Sequence, residues 1–336
     1  MNAEDGIVTW VIGAGGLLGS ALRRGLTDRN VSLFVPRETF QWNDISKLQS
    51  QISASVAEFA YCSEAAGNWR IFWAAGVGAF SSLPSQMASE TCALRMLLHE
   101  LALRPGTAAR QGVLVFAGSA GAVYAGSMDE VMTEDTLPAP TTAYGHEKIA
   151  QEQMLRSFTI RQPKVRCTIA RISTLYGVQP EAGKRQGLLS HMARCIVRNI
   201  PVHVYVPLDT IRDYVHADDA AHAMISASLA GHPARIVVKI VASEQPATIA
   251  EIVSIFKRVS RRFPRIITSA RQESSLYSRR IQFRSLTSRR DDGHRDKGLL
   301  VGISELMAAE RASYAVAIMP NARVTAMVNA GDRPSK

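Results

Sequence analysis

The chain has 336 residues, a formal net charge of +10 and 46% apolar side chains, enough for a sizeable core in one large or two small domains. No stretch approaches the ~20 apolar residues of a membrane span, and Met1 to Asp5 are polar, unlike a secretory leader, so a cytoplasmic location is expected. Cys62, Cys92, Cys167 and Cys195 are scattered without Cys-x-x-Cys or clustered histidines, which argues against a disulfide framework or a metal centre and for buried thiols in a reducing compartment.

Strand-like runs alternate with helical patterns through the first half. Strands are predicted at 7–12, 31–35, 71–75, 113–117, 165–171 and 236–241, and helices at about 17–28, 45–61, 86–103, 143–158 and 217–230. The alternation implies a parallel sheet with helices on both faces. Gln41-Trp42-Asn43-Asp44 reads as a further, third strand soon after the second. Thr248 is expected to open a helix running to Val259, with Glu251 at the capping-box position. Residues 318–336 are polar and read as a frayed, disordered tail.

Between Lys257 and Lys297 there are thirteen Lys and Arg against four Asp and Glu, so this segment alone carries +9. Such density suits a solvated surface, a diphosphate-facing patch or an oligomer contact. No nucleic-acid motif or aromatic interleaving accompanies it, so nucleic acid is not the expected partner.

Two motifs carry chemistry. Ile7-Val8-Thr9-Trp10-Val11-Ile12 runs into Gly13-Ala14-Gly15-Gly16-Leu17-Leu18-Gly19 and then a helical pattern. Strand, glycine turn and helix are the context of a dinucleotide fingerprint, in which the backbone approaches a pyrophosphate at the positive end of the helix. Downstream, Tyr144 and Lys148 lie four apart, which stacks them on one helix face. A phenol titrates near ~10, and an adjacent ammonium favours the phenolate, which fits a proton-transferring pair.

Together these motifs resemble the extended short-chain dehydrogenase/reductases, NAD(P)-dependent epimerases, dehydratases and reductases of sugar nucleotides. Four landmarks occur in that family's order: Gly13-x-x-Gly16-x-x-Gly19, Val123-Tyr124, Tyr144-x-x-x-Lys148 and Arg212-Asp213-Tyr214-Val215-His216-Ala217-Asp218-Asp219. Ala170 to Gly177 resembles a further family stretch, with Thr174 in place of Asn. The resemblance covers roughly residues 6 to 255. It implies a Rossmann-type doubly wound α/β sheet with a smaller, interleaved C-terminal substrate domain. Residues 1–175 and 212–242 would form the first, and 176–211 and 243–317 the second.

The resemblance also implies roles. Tyr144 is the general acid/base, and Lys148 tunes it and holds the nicotinamide ribose. Gly13, Gly16, Leu17, Leu18, Gly19, Asp44 and Ala74 join them at the cofactor, and Tyr124, Thr174 and Arg212 at the substrate. The family's Ser/Thr position falls on Ala120; either Ser119 serves after a one-residue shift or the hydroxyl is absent. NADP is the implied cofactor, with NAD as the alternative. Arg37 at the end of strand two suits a 2′-phosphate, while Glu38 is the competing partner for a bare ribose. The family's dehydratases carry Asp-Glu where this chain has Gly121-Ala122, which ranks dehydration below epimerisation and reduction. The implied partners are a nucleotide sugar and a second copy of the chain, because Leu94, Leu97, Leu98 and Leu101 exceed one core-facing stripe. The alternative is a cofactor-binding sensor or scaffold of the same fold without turnover.

Overall fold

A computed structural model describes residues 6–76, 84–180, 187–269, 280–287 and 293–330, without the side chains of 84–86 and 317–330. β1 (Ile7–Ile12), α1 (Leu17–Thr27), β2 (Leu33–Phe34), α2 (Ile45–Ala66), β3 (Asn68–Trp73) and α3 (Pro84–Leu103) come first. The short α4 (Pro105–Ala108), β4 (Gln111–Ser119), the short α5 (Ala120–Val123), α6 (Ala143–Arg161) and β5 (Val165–Ile172) follow. The chain then leaves the sheet through β6 (Thr174–Tyr176), α7 (Leu188–Val197), β7 (Val202–Val204), β8 (Ile211–Arg212) and β9 (Tyr214–His216). It returns through α8 (Ala217–Leu229) and β10 (Ile236–Val241), and ends with β11 (Ala247–Thr248), α9 (Ile249–Ser260), β12 (Ile266–Thr268) and α10 (Leu299–Ala330).

The central sheet has six strands in the order β2-β1-β3-β4-β5-β10, all parallel. The order reverses between β1 and β3, which opens a crevice at the C-terminal strand ends. This is the doubly wound, Rossmann-type arrangement expected. Both faces are covered, so strands such as Ile71-Phe72-Trp73 read as unbroken apolar runs.

On one face, Trp10, Phe59 and Trp73 pack with Leu94, Leu97, Leu98 and Leu101 of α3. Those four leucines are buried within the chain, so the surplus apolar surface inferred for them is absent. On the other face, α1 and α8 pack through Leu22, Leu26, Met224 and Ile225. A third cluster joins Met192 and Ile196 of α7, Ile252 and Phe256 of α9, and Ile303 and Met307 of α10.

Three expectations are corrected. Gln41 to Asp44 is no strand: Trp42 turns inward against Trp73 and Phe40, and the Asp44 carboxylate caps α2 by accepting from the Lys47 amide at 3.1 Å. Helix α10 continues past 318 to Ala330, and residues 331–336 lie outside the described residues. Of the four thiols, Cys167 and Cys195 are buried, whereas Cys62 and Cys92 are only half-buried. The helix from Thr248 is present with its full capping box. Residues 270–279 and 288–292 of the basic segment lie outside the described residues. Among the described residues, no helix is long and apolar enough to cross a membrane.

Candidate active site

The glycine turn is a tight backbone crossing. Gly13 has φ +86°, and a Cβ there would lie 2.5 Å from the Ala75 amide nitrogen, just beyond β3. The Gly16 amide donates to the Gly13 carbonyl at 3.0 Å and closes the turn. Gly16 caps α1 without a side-chain hydrogen bond, and no acidic residue occupies the first helical turn. The leading N–H groups and positive end of α1 therefore face the crevice uncompensated, which fits an anionic pyrophosphate. Leu17 is half-buried and Leu18 is buried in the core under the turn, so Leu18 offers its backbone. Ala74 is half-buried at the neighbouring strand end.

Helix α6 begins where the sequence indicates, because the Thr142 hydroxyl accepts from the Gly145 amide at 3.1 Å. A Cβ on Gly145 would lie 2.6 Å from the Ala122 carbonyl, so this glycine lets α6 approach α5 closely. Tyr144 is half-buried, and the Lys148 ammonium sits 5.7 Å from its ring centre and 5.1 Å from that of Phe116. Lys148 itself is buried and donates to Glu90 Oε1 at 2.6 Å and to Gln151 Oε1 at 3.1 Å. Burial pushes the lysine pKa down, but the charges of Glu90 and Tyr144 and the Glu90 hydrogen bond outweigh it and hold the value above the ordinary one.

Ser119 ends β4 half-buried and caps α5, accepting from the Ala122 amide at 3.4 Å. Ala120 is fully buried in an apolar cluster with Ile240, Ile281 and Phe283. Of the two candidate positions, Ser119 is thus the one with an accessible side chain.

Tyr124 departs from its expected role. It is 1% exposed, its hydroxyl donates to the Thr133 carbonyl at 3.1 Å, and Arg171 donates to it at 2.5 Å. Arg171 also grips Glu152 through two hydrogen bonds of 2.9 and 2.6 Å. Tyr124 is therefore part of a buried polar network rather than a surface a substrate could reach.

Arg37 follows β2, is 85% exposed and pairs with Glu58 of α2 at 3.0 Å. Glu38 accepts from the Gln51 side chain at 3.1 Å. Thr174 is exposed at the start of β6, and Arg212 is half-buried on β8, donating to the Ile211 carbonyl at 2.7 Å. Its neighbour Asp213 is fully buried and accepts from both the Ser173 and Ser243 hydroxyls, tying the ends of β5 and β10 to β8. His216 caps α8 by accepting from the Asp218 amide at 3.2 Å, which puts its proton on Nε2. Burial and the Lys297 charge hold its pKa below the ordinary histidine value. Asp219, His294 and Asp296 bring potential metal-ligand atoms within 4.8 Å of one another. Both Asp219 oxygens are already engaged, by the His294 ring and the Lys297 amide.

Sequence reasoning missed Glu90, Thr91 and Gln151. The Gln151 amide donates to Thr91 at 3.0 Å, and Thr91 donates to Glu147 at 2.6 Å, so α3 and α6 are bonded through polar groups behind Lys148. One signal was available: Met87, Glu90, Leu94 and Leu97 fall at spacings of three and four, placing a carboxylate in an apolar stripe.

Residues 9–238 match the family model described as NAD dependent epimerase/dehydratase family. The chain is 31% identical over 120 residues to dTDP-4-dehydro-6-deoxyglucose reductase of Escherichia coli, covering 35% of this chain and 37% of that protein. The chain thus spans about a third of the length of the curated relatives it matches. Among solved structures it resembles UDP-glucose 4-epimerase of Thermotoga maritima with UDP-glucose, with TM-score 0.73 and 16% identity, over 92% of this chain and 99% of that one. It also resembles RMD of Pseudomonas aeruginosa complexed with NADPH, with TM-score 0.73 and 17% identity, over 91% and 99%.

Proposed function

Since the chain belongs to the NAD dependent epimerase/dehydratase family, we propose that it is an NAD(P)-dependent epimerase or reductase acting on a nucleotide-activated sugar. The observation that carries this reading is the accessible Tyr144 stacked on a buried, charged Lys148 one helical turn away. A bound nicotinamide supplies the hydride acceptor or donor. Tyr144 takes or gives the proton at its hydroxyl as the sugar oxygen changes between carbinol and carbonyl. Lys148 stabilises the phenolate, and Ser119 hydrogen-bonds the reacting oxygen.

The glycine turn receives the dinucleotide's pyrophosphate, and Asp44 stands near its adenine end. NADP is favoured over NAD, with Arg37 leaving Glu58 for the 2′-phosphate. Epimerisation or reduction is favoured over dehydration, because Gly121 and Ala122 offer no carboxylate. Residues 176–211 and 243–317 form the sugar-binding part, with Thr174 and Arg212 at its border. A homodimer through α3 and α6 belongs to this reading on the resemblance alone; a monomeric mass by light scattering removes it.

The test is to incubate the protein with oxidised and with reduced nicotinamide cofactors and a panel of UDP- and dTDP-linked sugars. Cofactor oxidation reports reduction, and NMR of the sugar reports epimerisation. If no sugar turns over while the cofactor binds, the non-catalytic sensor reading takes its place; the Ala120 substitution is the observation that favours it.

A further inference from the structure

Lys148 is almost completely shielded from water: its side chain is 4% exposed, and so is that of Glu90, 2.6 Å away on a different helix. A lone ammonium in such a site is strongly disfavoured and either finds a counter-ion or sheds its proton. The charged and titratable groups around it can be named. Helix α3 presents Glu90. Helix α6 contributes Tyr144 and Glu152, together with the neutral Gln151. Strand β4 presents Phe116. Glu152 is committed to the bidentate grip on Arg171, so its charge is already matched. Glu90 is the carboxylate in direct contact with the ammonium.

The contact also sets direction. Glu90 and Gln151 take two of the three N–H donors of the ammonium. The Glu90 carboxylate lies at the crevice, since a Cβ placed on Gly76 would be 3.3 Å from its Oε2. Gly76 follows the same strand end against which Gly13 packs.

We propose that Glu90 is a positioning residue, the buried counter-ion that keeps Lys148 charged and aimed at Tyr144 and the cofactor crevice. It acts through Lys148 rather than on the substrate. The proposal rests on the functional reading above only for the cofactor; the pairing itself can be tested without cofactor or turnover.

The experiment compares wild type, Glu90→Gln, Lys148→Met and the double variant by thermal unfolding across neutral to alkaline pH. In Glu90→Gln the buried lysine loses its counter-ion, so its folded pKa drops below the unfolded value of about 10.4. The destabilisation is then fully present below the folded pKa and fades as pH rises toward the unfolded one. The melting temperature of Glu90→Gln should therefore lie well below wild type at neutral pH and approach it at alkaline pH. Lys148→Met in the Glu90→Gln background should abolish that pH trend and restore stability, because no unpaired buried charge remains. If Glu90→Gln fails to fold, the double variant should still fold. A pH-independent deficit that persists in the double variant, or a double variant that also fails to fold, overturns the proposal and leaves Glu90 as packing between α3 and α6.

Cofactor affinity gives the second arm. Where wild type binds NADP(H) by calorimetry, Glu90→Gln should bind progressively more weakly as pH rises, and Lys148→Met should bind weakly at every pH. Absence of binding by wild type counts against the functional reading, while the unfolding data still decide the role of Glu90.

Discussion

A Cβ on Gly19 would lie 2.1 Å from the carbonyl oxygen of Gly13, six residues earlier on the other side of the turn. No rotamer relieves that overlap, because both contacting groups are fixed to the backbone. The turn between β1 and α1 therefore depends on Gly19 having no side chain. Gly15, exposed in the same turn, has nothing within 4 Å of a Cβ and no left-handed φ.

Gly19→Ala should consequently lower the melting temperature and abolish nicotinamide dinucleotide binding together. Gly15→Ala should leave the melting temperature close to wild type. Thermal unfolding and calorimetry on the pair check this; equal behaviour of the two variants would contradict the tight crossing.

Tyr144→Phe should reduce turnover by ~10²–10⁴-fold, the typical contribution of a general acid/base. Cofactor affinity should stay near wild type, because the ring beside Lys148 is kept and its hydrogen bonds to Glu90 and Gln151 are untouched. Ser119→Ala separates two cases. A loss comparable to Tyr144→Phe means that Ser119 orients the reacting oxygen, and unchanged kinetics mean that its hydroxyl serves only to cap α5.

Arg37→Ala should weaken NADP(H) more than NAD(H) in a calorimetric comparison. Because Arg37 pairs with Glu58 in this structure, Glu58→Gln should strengthen NADP(H) binding by freeing the guanidinium. A preference for NAD that survives Arg37→Ala would transfer the ribose contact to Glu38.

Glu152→Ala should be among the most damaging single changes away from the crevice. It strands Arg171, a buried guanidinium whose other hydrogen bond among the described residues is to the Tyr124 hydroxyl. Removing one partner of a buried ion pair costs about 3–5 kcal/mol, and chemical denaturation measures it directly.

Acid sensitivity should trace to Glu134. Burial raises its pKa, but hydrogen bonds from the Leu286 amide, the Ser285 hydroxyl and the Ile240 amide outweigh that and hold it below the ordinary value. Its folded pKa is depressed, so its stabilisation is present above the unfolded value of about 4.3 and is lost as pH falls through the folded one. Glu134→Gln should be less stable at neutral pH and show a shallower loss toward acid, read as melting temperature against pH.

Much of this was legible in local sequence. Thr248 marked a helix start because its side-chain oxygen satisfies an amide three residues on, a rule that needs no tertiary contact. Gly13, Gly16 and Gly19 marked a turn whose backbone can be approached closely, because glycine carries no side chain. The reading of Gln41 to Asp44 as a strand failed because an apolar Trp42 beside polar residues fits both a strand and a turn packed inward, and only the aromatic cluster around Trp73 separates them.

The sequence by itself determined the strand–helix alternation of the first half, the two-sided burial of the parallel sheet and the pairing of Tyr144 with Lys148, since periodicity acts over short distances. The partners from afar were decided only by the tertiary structure. Glu90 lies 58 residues from Lys148, Arg171 takes Tyr124 away from the surface, and the leucines of α3 turn to the chain's own core. In each case the deciding quantity is the free energy of burying a charge, a hydroxyl or an apolar surface, and that depends on what the fold brings alongside.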